Sequence, residues 1–301
     1  MKRLLIVYNP NSTHFKSVKS EVLDQSTTLS GYLVGKYVIT KIGFEKNVEK
    51  LSGLIEDKDL VIVAGGDATA SMAANAVLKS GKDATLGVLP YGNFNDFAHT
   101  LKTKTLLDVL DTSKATKFYP LSVFINGKFW RFAPCYVTIG MTAEATEVFG
   151  DAKTRQAIKK KHKSSWASYF YLAKWYFKNR RKKTFLPAFR LNSERDYKNQ
   201  SDYFAINGSS VSHIMRSGRD YLRPRLFSSE IKELTKFRRL FAFMFLSIFS
   251  KIPSTETMGD TLEFFAPATI EVEAEGEYKI FENVRKVEIK KEPIFLKVIQ
   301  K

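Results

Sequence analysis

The sequence predicts an α/β + β protein, an N-terminal unit built on a mainly parallel sheet followed by an antiparallel β unit. Three observations carry this. Short apolar runs alternate with helically spaced segments through the first third of the chain. Near residue 118 the pattern changes, and Asn126-Gly127 separates two strand-like runs at 121–125 and 128–132, a two-residue hairpin signal. From Thr261 to Ile299 the chain alternates or runs β-branched, as in Thr269-Ile270-Glu271-Val272-Glu273. The expected architecture is a Rossmann-like, doubly wound domain over residues 1–118 and an antiparallel β-sandwich domain over residues 119–301.

The first strand, 4–8, runs into Asn9-Pro10-Asn11-Ser12-Thr13, where amides and hydroxyls surround a turn stiffened by proline. A second apolar run spans 36–40 and closes on Thr40. A helix is expected over 44–55, with Val48, Leu51, Leu54 and Ile55 apolar. The third strand, 60–64, leads into Gly65-Gly66-Asp67-Ala68-Thr69, and the fourth, 85–89, into Pro90-Tyr91-Gly92-Asn93-Phe94-Asn95-Asp96-Phe97-Ala98. In parallel sheets ligands bind outside the carboxyl ends of the strands, where these turns gather. The glycines let backbone N–H groups approach phosphate oxygens, and the following helix N-terminus adds favourable partial charge. Thr69 can donate a hydroxyl to a phosphate. Asp67 can orient a metal-bound water or cap the helix. Taken singly, the turns at 65–69 and 90–98 are also ordinary capped helix starts, and the one at 9–13 is a plain turn. Helical insertions are expected around 165–177 and 231–249.

Composition narrows the chemistry. With 301 residues, 44% hydrophobic and 26% charged, the chain can bury real cores. A single cysteine, Cys135, excludes an intramolecular disulfide and a cysteine-based metal cluster. The four histidines stand far apart without zinc-site spacing. The run after Met1 is too short for a signal peptide core, and the longest apolar stretch, 240–249, is about half of the ~20 residues a spanning helix needs. A cytoplasmic location follows as the expectation. The net charge of +17 points to an anionic partner. Between Lys153 and Lys183 there are twelve Lys or Arg and no acid, interleaved with Trp166, Tyr169, Phe170, Tyr171, Trp175, Tyr176 and Phe177. Such a belt suits an anionic membrane interface, RNA, or a core helix with solvated basic flanks.

As an ordered set, the three turns resemble the diacylglycerol kinase catalytic-domain family, which includes sphingosine kinases and bacterial lipid kinases. Its NPxSG-like loop, GGDGT and PxGTGNDFA motifs are similar to the runs at 9–13, 65–69 and 90–98, Asn75 matches an asparagine of the next helix, and Glu275-Gly276-Glu277 is similar to its DGE motif. NAD kinases and phosphofructokinases share GGDGT-like loops, but not the Asn95–Ala98 run or the C-terminal Glu-Gly-Glu.

The resemblance implies an ATP- and Mg2+-dependent kinase acting on a hydroxyl of diacylglycerol or a related lipid alcohol. It implies that Asn9, Pro10, Asn11, Ser12, Thr13, Thr40, Gly65, Gly66, Asp67, Ala68, Thr69 and Asn93 surround the nucleotide. Asp67 and Asp96 would hold magnesium and its waters. Glu277 would take the proton from the lipid hydroxyl, with Glu275 as the competing base and Asp96 in the catalytic set. Three positions depart from the family pattern: Ala68 and Phe94 stand where glycines are usual, and Glu275 replaces aspartate. The family's acidic DDG-type stretch is not visible, so its structural metal is not carried over. A catalytically impaired lipid- or nucleotide-binding protein of the same fold is the alternative. A lipid substrate makes the belt at 153–183 a contact for an anionic membrane, giving peripheral association. Nucleic acid is not an expected partner, and a homodimer is left open.

Overall fold

The computed structural model describes residues 2–140, 143, 174, 186–198, 200–211, 215–216, 226–232 and 255–301. Its strands are β1 (Lys2–Tyr8), β2 (Tyr32–Val38), β3 (Leu60–Gly65), β4 (Thr85–Pro90), β5 (Ala115–Phe118), β6 (Leu121–Ile125), β7 (Lys128–Ala133), β8 (Tyr136–Gly140), β9 (Phe189–Leu191), β10 (Gln200–Ile206), β11 (Ser210–Val211), β12 (Met215–Arg216), β13 (Leu226–Lys232), β14 (Thr255–Thr257), β15 (Gly259–Ala274), β16 (Glu277–Lys290) and β17 (Leu296–Ile299). The helices are α1 (Phe15–Val18), α2 (Asp24–Ser26), α3 (Phe44–Ser52), α4 (Asp67–Ser80), α5 (Asp96–Leu101) and α6 (Leu106–Leu110). A short π-helical segment, Lys19–Leu23, joins α1 to α2.

The first sheet runs in the order β2-β1-β3-β4-β17-β5. Its pairings are parallel except for β17 with β5. Every residue of β3 is buried, as a parallel strand covered on both faces requires. The two faces separate by alternate residues. Leu5, Val7, Val61 and Val63 enter one core, Leu4, Ile6, Leu60 and Ile62 the other. That is the doubly wound arrangement expected from the sequence. Helix α3 stops at Ser52, three residues short of the expected end, with Gly53 at its C-cap.

The remaining strands form a nine-stranded antiparallel sheet, with β11 and β12 as a separate ribbon among the described residues. The long β15–β16 hairpin is shared by two leaves. Near Leu262 it pairs β9, and near Lys290 it pairs β6; near Val272 it pairs β8, with register shifts between these regions. Leu121 and Val123 of one leaf meet Val137, Ile139 and Tyr203 of the other in one core. This is how the expected sandwich is built. The hairpin of β6 and β7 turns through Asn126 and Gly127 at φ 50° and 75°, the left-handed backbone that Asn-Gly favours.

The end of the chain differs from the expectation. The sequence reading placed it wholly in the β unit, whereas β17 inserts between β4 and β5 and completes the parallel sheet. Leu296 and Val298 join one of that sheet's cores and Ile299 the other. A β-branched run specifies a strand, not the sheet it will join. The expected helical insertion at 231–249 begins differently too, since Ile231 and Lys232 finish β13. The rest of that segment, and the belt at 153–183 apart from Lys174, lie outside the described residues. Among the described residues no helix is long and apolar enough to cross a membrane.

Candidate active site

The site is assembled where β1, β2, β3 and β4 end. Gly66 is the extended N-cap of α4, and Asp67 is that helix's first residue. The turn after β4 lies against it. A Cβ on Gly92 would sit 2.3 Å from Gly66 Cα, and one on Gly66 would sit 3.1 Å from Gly92 Cα, so the two turns touch backbone to backbone. Tyr91 N–H donates to Gly65 O at 3.1 Å. Gly65 is required for another reason: its Cβ would come within 2.8 Å of the Thr69 side chain. Asn95 adopts the left-handed conformation at φ 57° and closes its own turn, accepting from Gly92 N at 2.6 Å and donating to Gly92 O at 3.0 Å.

Asp67 caps a neighbouring turn. Its carboxylate accepts from Asn95 N at 2.8 Å and from Phe97 N at 3.4 Å, so it holds the start of α5. Burial pushes its carboxyl above the usual range, against the pull of the Phe97 and Asn95 N–H groups. Asp96 is fully buried beside it, while Ala68 and Phe94 are half-buried and Asn93 is exposed.

The turn after β1 is an Asx-turn, with Asn11 N donating to the Asn9 side chain at 2.9 Å and Ser12 N to Asn9 O at 3.0 Å. Ser12 Oγ is buried without a hydrogen-bond partner among the described residues. Pro10 is exposed and Thr13 half-buried. Thr40 is exposed and pinned by Asn47, whose Oδ1 accepts from Thr40 N at 3.1 Å and whose Nδ2 donates to Thr40 O at 2.9 Å and Gly43 O at 2.7 Å. Sequence reasoning passed over Asn47, although an amide at helical spacing with Phe44, Val48 and Leu51 is the available signal.

The β unit closes over this edge. The β15–β16 turn is Glu275-Gly276, both left-handed at φ 56° and 81°. Glu275 is fully buried, and one carboxylate oxygen accepts from Cys135 N and from Tyr136 N, the latter at 2.8 Å. Its Oε2 is buried without a hydrogen-bond partner among the described residues. Burial, then the negative charge of Asp67, push its carboxyl well above the usual range, with Asp96 adding to the effect. Glu273 accepts from Thr138 Oγ1 at 3.0 Å and Gly276 N at 2.5 Å, and burial pushes it up to about 7. Glu277 is half-buried; burial raises its carboxyl and the Arg131 charge opposes the rise.

The structure therefore brings Asp67, Asp96 and Glu275 into one acidic cluster, to which Glu273 was an unforeseen addition. Glu277 is not held by this cluster and feels the opposing charge of Arg131. Asn75 takes up both backbone groups of Phe132 on β7, accepting from its N–H at 2.9 Å and donating to its carbonyl at 2.8 Å, which fastens α4 to the edge of the β unit. Thr100 of α5 similarly accepts from Ser209 N at 2.9 Å.

Magnesium commonly keeps several waters and takes one or two carboxylates plus substrate phosphates. Asp67 and Asp96, on touching turns, fit that mode. Among the described residues no group of three or more His, Cys, Asp or Glu side chains is placed to hold a metal by itself.

Comparison with known proteins yields a match of residues 3–119 to the family model described as diacylglycerol kinase catalytic domain. A diacylglycerol kinase of Staphylococcus carnosus (strain TM300) is 36% identical over 106 residues, covering 35% of this chain and 34% of that protein. One of Bacillus subtilis (strain 168) is 34% identical over 135 residues, covering 43% and 44%. The chain thus matches less than half the length of these relatives. A solved diacylglycerol kinase structure from Bacillus anthracis str. Sterne superposes over 100% of this chain and 97% of its own, with a TM-score of 0.63 at 13% identity. At that identity the likeness is one of fold.

Proposed function

We propose that the chain, whose residues 3–119 match the family model described as diacylglycerol kinase catalytic domain, transfers the terminal phosphoryl group of ATP to a hydroxyl of diacylglycerol or a related lipid alcohol. The observation that carries this reading is the pair of glycine turns packed backbone to backbone, with Asp67 bridging them at the carboxyl edge of the parallel sheet. Phosphoryl transfer depends mainly on positioning and charge stabilisation, with one base near the nucleophile.

In this reading the Asn9–Thr13 turn, Thr40, the Gly65–Thr69 turn and Asn93 surround the nucleotide, and the partnerless Ser12 hydroxyl is available to it. Asp67 and Asp96 would hold Mg2+, which supplies charge neutralisation at the phosphates. Glu277 accepts the proton of the lipid hydroxyl. Glu275 is the competing base, though its carboxylate is enclosed and already accepts two backbone N–H groups. Asp96 stays in the catalytic set as a neighbour of both turns. The belt at 153–183 and the +17 charge support peripheral binding to an anionic membrane.

A second reading has one specific support. Ala68 and Phe94 stand in the two turns where the family usually carries glycine, and a shift of ~1 Å near the chemistry can cost ~100-fold in rate. The chain would then bind nucleotide or lipid without turnover. A radiolabelled-ATP assay against a panel of lipid alcohols, with nucleotide binding measured in parallel, separates the two. Phosphorylated lipid supports the kinase, and ATP binding without product supports the binding protein. Absence of both overturns the site.

A further inference from the structure

Helix α3 carries a polar side chain on the face that it packs. Asn47 stands at helical spacing with Phe44, Val48 and Leu51, and all four are buried. Burying an amide costs free energy unless its donors and acceptor are satisfied. Here they are, mostly by one loop. Nδ2 donates to Thr40 O at 2.9 Å and to Gly43 O at 2.7 Å. Oδ1 accepts from Thr40 N at 3.1 Å and from the Tyr37 hydroxyl at 3.2 Å. One amide thus takes up both backbone groups of Thr40, as a neighbouring strand would.

The loop at 40–43 is fixed at both ends. Ile39 N donates to Tyr8 O at 2.8 Å, which holds its entry against β1. Gly43 O also accepts from Asn47 N at 3.2 Å, and Gly43 leads into α3 at φ 99°. The four residues between these anchors, Thr40, Lys41, Ile42 and Gly43, are exposed. An apolar residue at position 47 would suffice to pack α3; the amide adds a fixed shape to an exposed loop. The sheet order β2-β1-β3-β4 places that loop two strand spacings from the turn at 65–69. At ~4.8 Å between adjacent strands, this is roughly 10 Å along the carboxyl edge. With the phosphates on the glycine turns, the part of a nucleotide that reaches Thr40 is its nucleoside.

We infer that Asn47 is a positioning residue for the nucleotide: its amide clips the loop at 40–43 into the form that receives the nucleoside end of ATP. This rests on the reading that Thr40 borders the nucleotide. Asn47 is enclosed and acts through Thr40. Without the amide, the backbone groups of Thr40 turn to water, so the loop loosens while α3 keeps its apolar contacts.

The test uses calorimetry to compare binding of Mg2+-ATP with binding of Mg2+ and inorganic triphosphate, beside the ATP KM and kcat of lipid phosphorylation. The full chain is compared with Asn47→Ala, Asn47→Asp and Val48→Ala. In Asn47→Ala, ATP affinity falls about tenfold, near the upper worth of one neutral hydrogen bond. KM rises by the same factor with kcat unchanged, because uniform binding is lost, and inorganic triphosphate binds as it does to the parent. Asn47→Asp has the same shape but lacks both donors, and binds ATP no better than Asn47→Ala. Val48→Ala removes apolar contact from the same face, so it loses resistance to denaturant and keeps the parent's ATP affinity. Unchanged ATP affinity in both Asn47 variants overturns the inference. So does an equal weakening of ATP and triphosphate, or an equal loss of ATP affinity in Val48→Ala; either would make Asn47 merely structural. Should the Asn47 variants fail to fold, NMR of the parent decides. Exchange of the Asn47 side-chain amide and the Thr40 N–H then slows with ATP and not with triphosphate, and no slowing by ATP overturns the inference. A parent that binds ATP without turnover refutes the kinase reading alone, since calorimetry still reads the clip. A parent that binds no ATP removes the nucleotide site and the inference together.

Discussion

Two turns of this molecule carry an acid beside a glycine, Gly66-Asp67 between β3 and α4 and Glu275-Gly276 between β15 and β16, and the chain uses the same residue types in opposite ways. Gly66 has an ordinary extended backbone and is favoured because a neighbouring turn crowds the place of a Cβ. Gly276 has open space around it and is needed because its φ is +81°. Asp67 reaches across to grip the next loop, whereas Glu275 is folded inward and gripped by the N–H groups of Cys135 and Tyr136. A glycine–acid pair is thus a local pattern with two physical meanings, one steric and one conformational.

The largest effect should come from the acids of the second turn. Glu277→Gln keeps the side-chain size but cannot accept a proton at neutral pH. General-base catalysis contributes ~10²–10⁴-fold, so the rate of lipid phosphorylation should fall by about that factor with ATP affinity little changed. Glu275→Gln should weaken folding more than turnover. The reverse pattern, read in one steady-state assay of both variants, would move the base to Glu275.

Next is the pH dependence of stability. The Glu273 carboxyl is raised from 4.5 to about 7 by burial, so the folded state binds its proton more tightly than the unfolded state does. Its favourable contribution is complete below pH ~4.5 and is lost as pH rises through about 7, a change on the order of 3 kcal/mol. Thermal unfolding followed from pH 5 to 8 should show a falling Tm that flattens in Glu273→Gln. A parent Tm that rises over that interval would contradict this account of the buried cluster.

The glycines provide the sharpest contrast. Gly92→Ala places a Cβ 2.3 Å from Gly66 Cα, and overpacking of this kind costs about 1–3 kcal/mol. Nucleotide binding should fall along with stability, because the two turns are forced apart. Gly66→Val meets a milder conflict at its Cβ, 3.1 Å from Gly92 Cα, and its loss of ATP binding has to be read beside a denaturant titration. The smallest effect belongs to Gly276→Ala, at about 1 kcal/mol for a left-handed position without steric conflict, and ATP affinity should be retained. Equal losses of ATP affinity in Gly92→Ala and Gly276→Ala would erase the distinction between the turns.

What the sequence determined by itself was whatever short-range rules govern. Continuous apolar runs marked β1, β3 and β4, Asn126-Gly127 marked its hairpin, and ordered polar turns marked the carboxyl edge of the sheet. Each depends on side-chain periodicity or on the φ preference of one or two residues, both carried by adjacent positions. Only the tertiary structure decided that β17 leaves the β unit for the parallel sheet, that Asp67 caps α5 and not its own helix, and that Arg131 pairs with Glu45, 86 residues away. It also decided which way the two acids of Glu275-Gly276-Glu277 face. Glu275 turns inward because N–H groups 139 and 140 residues distant are there to receive it. Such choices are settled by how groups far apart in the chain satisfy one another once water is excluded, and no local pattern encodes that.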